Sequence, residues 1–274
     1  MIAKGIPGYE AALPQDQAFV IRQLQITKDW ACNTCHKTGN VMDICSRGVI
    51  VRDCMCNTVR KIKGKRKTLF DDSGMPNRYL DASPDKWQNM GRDDREKALN
   101  HATFNVVSSF CKRLPAMLKE GYSLFFVGPH GVGKTYLSCC IANTGIVYEL
   151  DVKYCTIAGI VQMMIGGWRD DELAHTVSKF RDADLLIIDD VDKLYRTATG
   201  IEASLFDNLL RDRLQMAKSC IFTSNKTVDE LMDHYGPAIV SMLHERCAEL
   251  VVAGEDYRSK ELEVVRRAIL NNGN

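Results

Sequence analysis

The sequence predicts an α/β fold built on a mainly parallel five-stranded sheet, and three observations carry that reading. Short β-rich runs alternate with helical ones, one run leads into a glycine-rich loop and then a helix, and another ends in paired carboxylates. Alternation of this kind implies a sheet covered on both faces, with ligands at the carboxyl ends of the strands. The expected strands are residues 123–127, 152–157, 185–189, 219–223 and 249–252. At 274 residues and 45% hydrophobic, the chain can bury one full core of this type and still form a smaller module.

The first strand, Ser123-Leu124-Phe125-Phe126-Val127, is a continuous apolar run, as a strand buried on both faces requires. It leads into Gly128-Pro129-His130-Gly131-Val132-Gly133-Lys134-Thr135, which satisfies the phosphate-loop pattern G-x-x-x-x-G-K-[ST] at every required position. A helix is expected from Tyr136 to Tyr148. Glycines let backbone N–H groups turn inward around phosphates, and the helix N-terminus adds positive potential. Lys134 is expected to reach the β and γ phosphates of ATP, and the Thr135 hydroxyl to ligate Mg²⁺.

The run Leu185-Leu186-Ile187-Ile188-Asp189-Asp190 has the form of a buried strand delivering acids to a metal and a water. Asp189 is expected to hold Mg²⁺, directly or through water, and Asp190 to orient or deprotonate the attacking water. The neighbouring run Cys220-Ile221-Phe222-Thr223 ends in Ser224-Asn225, where the amide of Asn225 can bond a γ-phosphate and the water. Farther on, Ser241-Met242-Leu243-His244-Glu245-Arg246 offers Arg246 as a guanidinium for a nucleotide held by a neighbouring subunit. Asn225 also has a plain turn reading, and Arg246 the reading of a solvated helix residue.

Before this core, a helix over residues 95–114 is expected, stopped by Pro115, with Leu99, Ala102, Val106, Phe110 and Leu114 as its contact stripe. A weaker helical segment near residues 15–28 carries no functional signal. Between them lies a cysteine block. Cys32-x-x-Cys35 and Cys54-x-Cys56 form two close pairs separated by 18 residues, enough chain to close a tetrahedral four-thiolate site for structural Zn²⁺. Cys45 and His36 are substitute ligands. Such a site supplies folding free energy on the order of 10 kcal/mol, which a core of this size cannot. Cys139, Cys140, Cys155 and Cys220 lie in apolar segments and need no special role. The run Arg60-Lys61-Ile62-Lys63-Gly64-Lys65-Arg66-Lys67 lacks apolar periodicity and reads as a basic linker, or as a contact for DNA phosphates. The expected division is a zinc module over 1–59, a linker over 60–74 and a nucleotide-binding domain over 75–274.

These elements resemble the AAA+ ATPases, and within them the DnaC/IstB-like helicase loaders and transposition helpers. The resemblance spans about residues 70–260. It rests on Met75-Pro76-Asn77-Arg78-Tyr79, the phosphate loop, residues 185–190, Thr223-Ser224-Asn225, and Ser241 to Arg246 followed by Gly254-Glu255-Asp256-Tyr257-Arg258. It implies that Met75 and Tyr79 lie near adenine, that Asn225 is a sensor of nucleotide state, and that Arg246 is an arginine finger. Asp190 stands where these ATPases usually carry glutamate, and Met242 where relatives often have arginine. The shorter acid is expected to slow hydrolysis. A four-cysteine module before such a domain resembles phage and Gram-positive relatives in which the N-terminal part engages the replicative helicase.

The function implied is ATP-dependent helicase loading in DNA replication. Its partners would be a hexameric DnaB-type helicase, single-stranded DNA and further copies of the chain joined through ATP interfaces. An IstB-like transposition helper and a nucleotide-gated DNA-binding scaffold with little hydrolysis are the alternatives; Asn225 and Arg246 argue against a small-molecule kinase. The net charge of +1 neither demands nor excludes a nucleic acid. With no apolar run after the first lysine and none of about 18 residues elsewhere, neither secretion nor a membrane partner is expected. A bacterial or phage-infected cytoplasm is the expected location.

Overall fold

A computed structural model describes residues 40–45, 48–194, 200–258 and Leu262. The chain divides into two compact units, Met1–Thr68 and Leu69–Asn274.

In the first unit, β1 (Asn40–Cys45) and β2 (Gly48–Asp53) form an antiparallel hairpin, paired from Asn40 opposite Asp53 to Cys45 opposite Gly48. Helix α1 (Met55–Ser73) follows, and the boundary between the units falls within it. The basic run expected as a linker is therefore helical, not irregular. Lysine and arginine are good helix formers, and Gly64 is the one weak residue among them. With Lys63, Lys65, Arg66 and Lys67 all exposed, no apolar stripe announces the helix. It stops where Gly74 takes φ +75° and the Ser73 hydroxyl donates to the Phe70 carbonyl at 2.6 Å.

Most of the expected zinc site falls outside the described residues. Cys32, Cys35 and His36 lie there, as does the helix expected near residues 15–28. Only the backbone of Cys45 and Cys56 is described, whereas Cys54 is buried.

The second unit is an α/β layer structure. Helices α2 (Asp94–Lys112) and α3 (Leu114–Lys119) precede β3 (Ser123–Val127), α4 (Lys134–Val147), β4 (Val152–Thr156), α5 (Ile157–Gly166) and α6 (Asp171–Asp182). Next come β5 (Leu185–Asp189), α7 (Ile201–Gln215), β6 (Ser219–Ser224), α8 (Met232–Tyr235), α9 (Pro237–Arg246) and β7 (Cys247–Val251). The order across the sheet is β4-β5-β6-β3-β7, and every pairing is parallel. Neighbouring β5, β6 and β3 thus deliver Asp189, Ser224 and Val127 to one edge.

The central strands are buried on both faces, so alternate residues enter different cores. Leu124, Phe126, Leu185, Ile187 and Ile221 join Val107, Phe110, Leu114, Leu137 and Ile141 on one side. Phe125, Val127, Leu186, Ile188 and Phe222 join Ile157, Ile160, Phe206, Leu209 and Leu243 on the other. Cys139, Cys140, Cys155 and Cys220 are buried, and burial pushes the first three thiols well up. Those three are inert packing residues, whereas Cys220 Sγ accepts from Arg213 Nε at 3.1 Å.

Helix α2 corrects the expected stripe. Leu99 and Val106 are each 40% exposed and Ala102 is exposed, while Asn100, Thr103, Val107, Phe110 and Cys111 face inward. The Asn100 amide donates to Ala253 O and accepts from Ala253 N, at 2.8 and 2.9 Å, and the Thr103 hydroxyl donates to Val251 O at 2.7 Å. Polar side chains therefore dock this helix on the chain leaving β7. The long helix expected before Pro115 is present but ends at Lys112, and Pro115 itself sits in the first turn of α3, where its missing N–H costs nothing.

Candidate functional site

The loop leaving β3 is shaped by glycines. Gly128 has φ +152°, and a Cβ there would lie 1.9 Å from Val252 O. Gly133, at φ +101°, caps α4 and places Lys134 in its first turn. The Lys134 ammonium donates to Gly128 O and Pro129 O, both at 2.7 Å, and to Asn225 Oδ1 at 3.0 Å. Burial lowers its pKa to about 8, opposed by the charges of Asp190, Asp192 and Asp189.

Asp189, at the end of β5, is held by hydroxyls. Thr135 Oγ1 donates to its two oxygens at 2.9 and 3.2 Å, and the Tyr154 phenol donates to Oδ2 at 2.6 Å. Thr223 Oγ1 also donates to Asp189 and accepts from Asp190 N–H. Burial first, then the Asp189 charge, raises the Tyr154 pKa strongly, so the phenol remains a donor. Asp190 has φ +58°, a conformation costly for a residue with a Cβ, and its carboxylate pairs with Lys193 Nζ at 2.7 Å. Asn225 receives Asp192 on both nitrogens: its backbone N–H donates at 3.0 Å and its side-chain amide at 2.8 Å.

These groups border a cleft of about 320 Å³. Its lining includes Arg78, Lys86, Lys134, Lys193 and Arg258 against the carboxylate of Asp190. That imbalance favours a polyanion. Aromatic walls come from Tyr79, Trp87, Tyr136 and Tyr257, with the Arg78 guanidinium 4.7 Å from the centre of the Tyr79 ring. Trp87 stacks on Phe104 at 5.9 Å, and its buried indole N–H, beside Gly133, has no hydrogen-bond partner among the described residues. The chain after β7 closes the loop from outside, where Tyr257 N–H donates to Gly131 O at 3.0 Å. An anion-seeking loop, an orphaned donor and aromatic walls fit a nucleoside triphosphate, and Thr135 with Asp189 supplies the hard oxygen donors that suit Mg²⁺.

The structure brings together Lys134, Thr135, Asp189, Asp190 and Asn225 as the spacing implied. His130, Gly131, Val132, Gly133 and Tyr79 line the cleft, while Gly128 and Pro129 turn carbonyls to Lys134. Met75 does not line it; at 5% exposure it belongs to the apolar core. Arg246 lies at the other edge of the sheet: β7 starts after it, with Cys247 opposite Ser123 at the amino end of β3, and its guanidinium pairs with Glu245 at 3.2 Å. Tyr154, Thr223, Asp192, Lys193 and Trp87 were not legible as site residues. Thr223 stands in the quoted run Thr223-Ser224-Asn225 but was given no role of its own, and no motif marks the others, although Lys193 and Asp192 follow the acid pair so closely that a turn folding back was foreseeable.

Fold and site together define a nucleotide-binding phosphate-loop domain of the AAA+ class. The profile of the IstB-like ATP binding protein family matches residues 111–264, more than half of the sequence, and the chain belongs to that family. It is 28% identical to an insertion sequence IS21 ATP-binding protein of Pseudomonas aeruginosa over 53% of this chain and 56% of that one. It is 32% identical to the chromosomal replication initiator DnaA of Streptococcus equi subsp. zooepidemicus over 40% of this chain and 25% of the initiator. The matches thus span about half or less of these relatives. Among solved structures, the DnaC helicase loader superposes with a TM-score of 0.56 at 19% identity, covering 64% of this chain and 99% of that one. DnaI gives 0.50 at 19% identity, covering 67% and 94%. At such identities the superpositions show the shared fold.

Proposed function

We propose that the chain is an ATPase that loads a hexameric replicative helicase onto single-stranded DNA. The observation that carries the catalytic part is the convergence of Lys134, Asn225, Thr135 and Asp189 on one loop end through direct hydrogen bonds. Lys134 would bind the β and γ phosphates, its present carbonyl partners being exchanged for phosphate oxygens. Asp190 would accept a proton from the attacking water and Asn225 would orient that water. Mg²⁺ held by Thr135 and Asp189 would neutralise charge on the phosphates. The loader part is supported by the shared fold with the DnaC helicase loader, which extends over nearly all of that solved chain.

The family profile and the IS21 relative favour a second reading, an ATPase that prepares target DNA for a transposase. Retention on the tagged chain with ATP decides between them: a hexameric helicase supports loading, and a transposase instead of a helicase overturns it.

For the N-terminal unit, Zn²⁺ held by Cys32, Cys35, Cys54 and Cys56 remains our proposal, supported by the paired spacing. We expect one zinc ion per chain, lost in the Cys32→Ser/Cys35→Ser variant. Its absence from protein purified reduced and without chelators would remove the proposal.

A further inference from the structure

We propose that Lys193 distinguishes ATP from ADP, by leaving Asp190 for the terminal phosphate. The inference rests on the cleft being an ATP site and adds a contact that the phosphate-loop pattern does not include. Lys193 and Asp190 both line the cleft, together with Lys134 and Asn225. The Lys193 ammonium stands 2.7 Å from Asp190 Oδ2, on a turn immediately after the acid.

Geometry makes the pair exchangeable. Lys193 is 49% exposed and Asp190 32%, so their attraction is screened and worth little as structure. Its ammonium lies close enough to Lys134 for the two charges to oppose each other, Lys193 being among the groups that disfavour a proton on Lys134. Lys134 is the residue that marks where the β and γ phosphates bind. A triphosphate places more negative charge there than a diphosphate, and that added charge competes with Asp190 for Lys193. Asp190, whose backbone is already fixed by Thr223 Oγ1 and a left-handed φ, would then be unpaired when ATP arrives. The same lysine would thus read the terminal phosphate and release the acid that acts on water.

The test is calorimetric titration with a non-hydrolysable methylene-bridged ATP analogue and with ADP, both with Mg²⁺. Lys193→Met should weaken the analogue about fivefold, as expected for one half-exposed charged contact, and leave ADP within about twofold. Lys193→Arg should recover most of the preference. Asp190→Asn, which frees the lysine, should tighten the analogue about twofold, and this gain should vanish in the double variant with Lys193→Met. Equal weakening for both nucleotides, or none for either, overturns the inference. Failure of the parent protein to bind either nucleotide would instead overturn the ATP-site reading itself.

Discussion

At the scale of single residues, Lys134 is the cation of the phosphate loop and its surroundings bring its titration towards neutral pH. Burial beside its own loop lowers its pKa to about 8 from 10.5. Since phosphate needs the protonated form, ATP affinity should fall as pH rises above about 8, by up to about tenfold per unit. Binding at pH 9 should take up a proton, measured by calorimetry in buffers of different ionisation enthalpy; binding without proton uptake contradicts this account. The linkage to folding has the opposite sense: the unfolded chain holds this proton more tightly, so the site adds stability as pH rises from about 8 towards 10.5. Lys134, Thr135, Asp189 and Asn225 were legible because local spacing fixes what a phosphate loop and its strand tips present. Tyr154, by contrast, reaches Asp189 only because β4 pairs with β5, Thr156 lying opposite Asp189. Nothing within its own strand announces that partnership.

At the scale of elements, the buried strands were read well, since apolar runs such as residues 185–188 have one stable fate in an alternating α/β chain. Strand β7 starts two residues earlier than expected, at Cys247, because Cys247 is half-buried and Ala248 exposed, so neither looks like part of a core strand. Helices were read less well where polarity carried the contact. In α2, the inward Asn100 bonds both backbone groups of Ala253, so an apolar-stripe rule finds the buried Phe110 and Leu114 but errs at Leu99, Ala102 and Val106, which are exposed. Asn100→Ala should leave the half-buried N–H and C=O of Ala253 unpaired and cost about 1 kcal/mol, seen as a lower urea midpoint. Since Ala253 lies just before the segment that bonds Gly131, the same variant should bind nucleotide less tightly. An unchanged midpoint would show that the helix docks through its apolar residues alone.

At the scale of the whole molecule, the placement of Arg246 bears on assembly. It stands at the sheet edge opposite the phosphate loop of its own chain, so we expect it to serve a neighbouring subunit. Arg246→Ala should bind ATP normally and lose hydrolysis stimulated by assembly. Mixing it with Lys134→Ala should recover part of the activity, through interfaces that pair the intact loop of one with the intact arginine of the other. No recovery in demonstrably mixed assemblies would return Arg246 to a surface helix residue.

The central claim, that residues 128–135 with Asp189 and Asp190 form a working ATPase centre, is tested most directly by measuring ATP binding and turnover together in two variants. Lys134→Ala should lose tight binding, because it removes the cation placed within the loop. Asp190→Asn should retain binding and lose turnover, because the group that accepts the proton of water is gone. Hydrolysis at the parent rate by both variants would contradict the assignment.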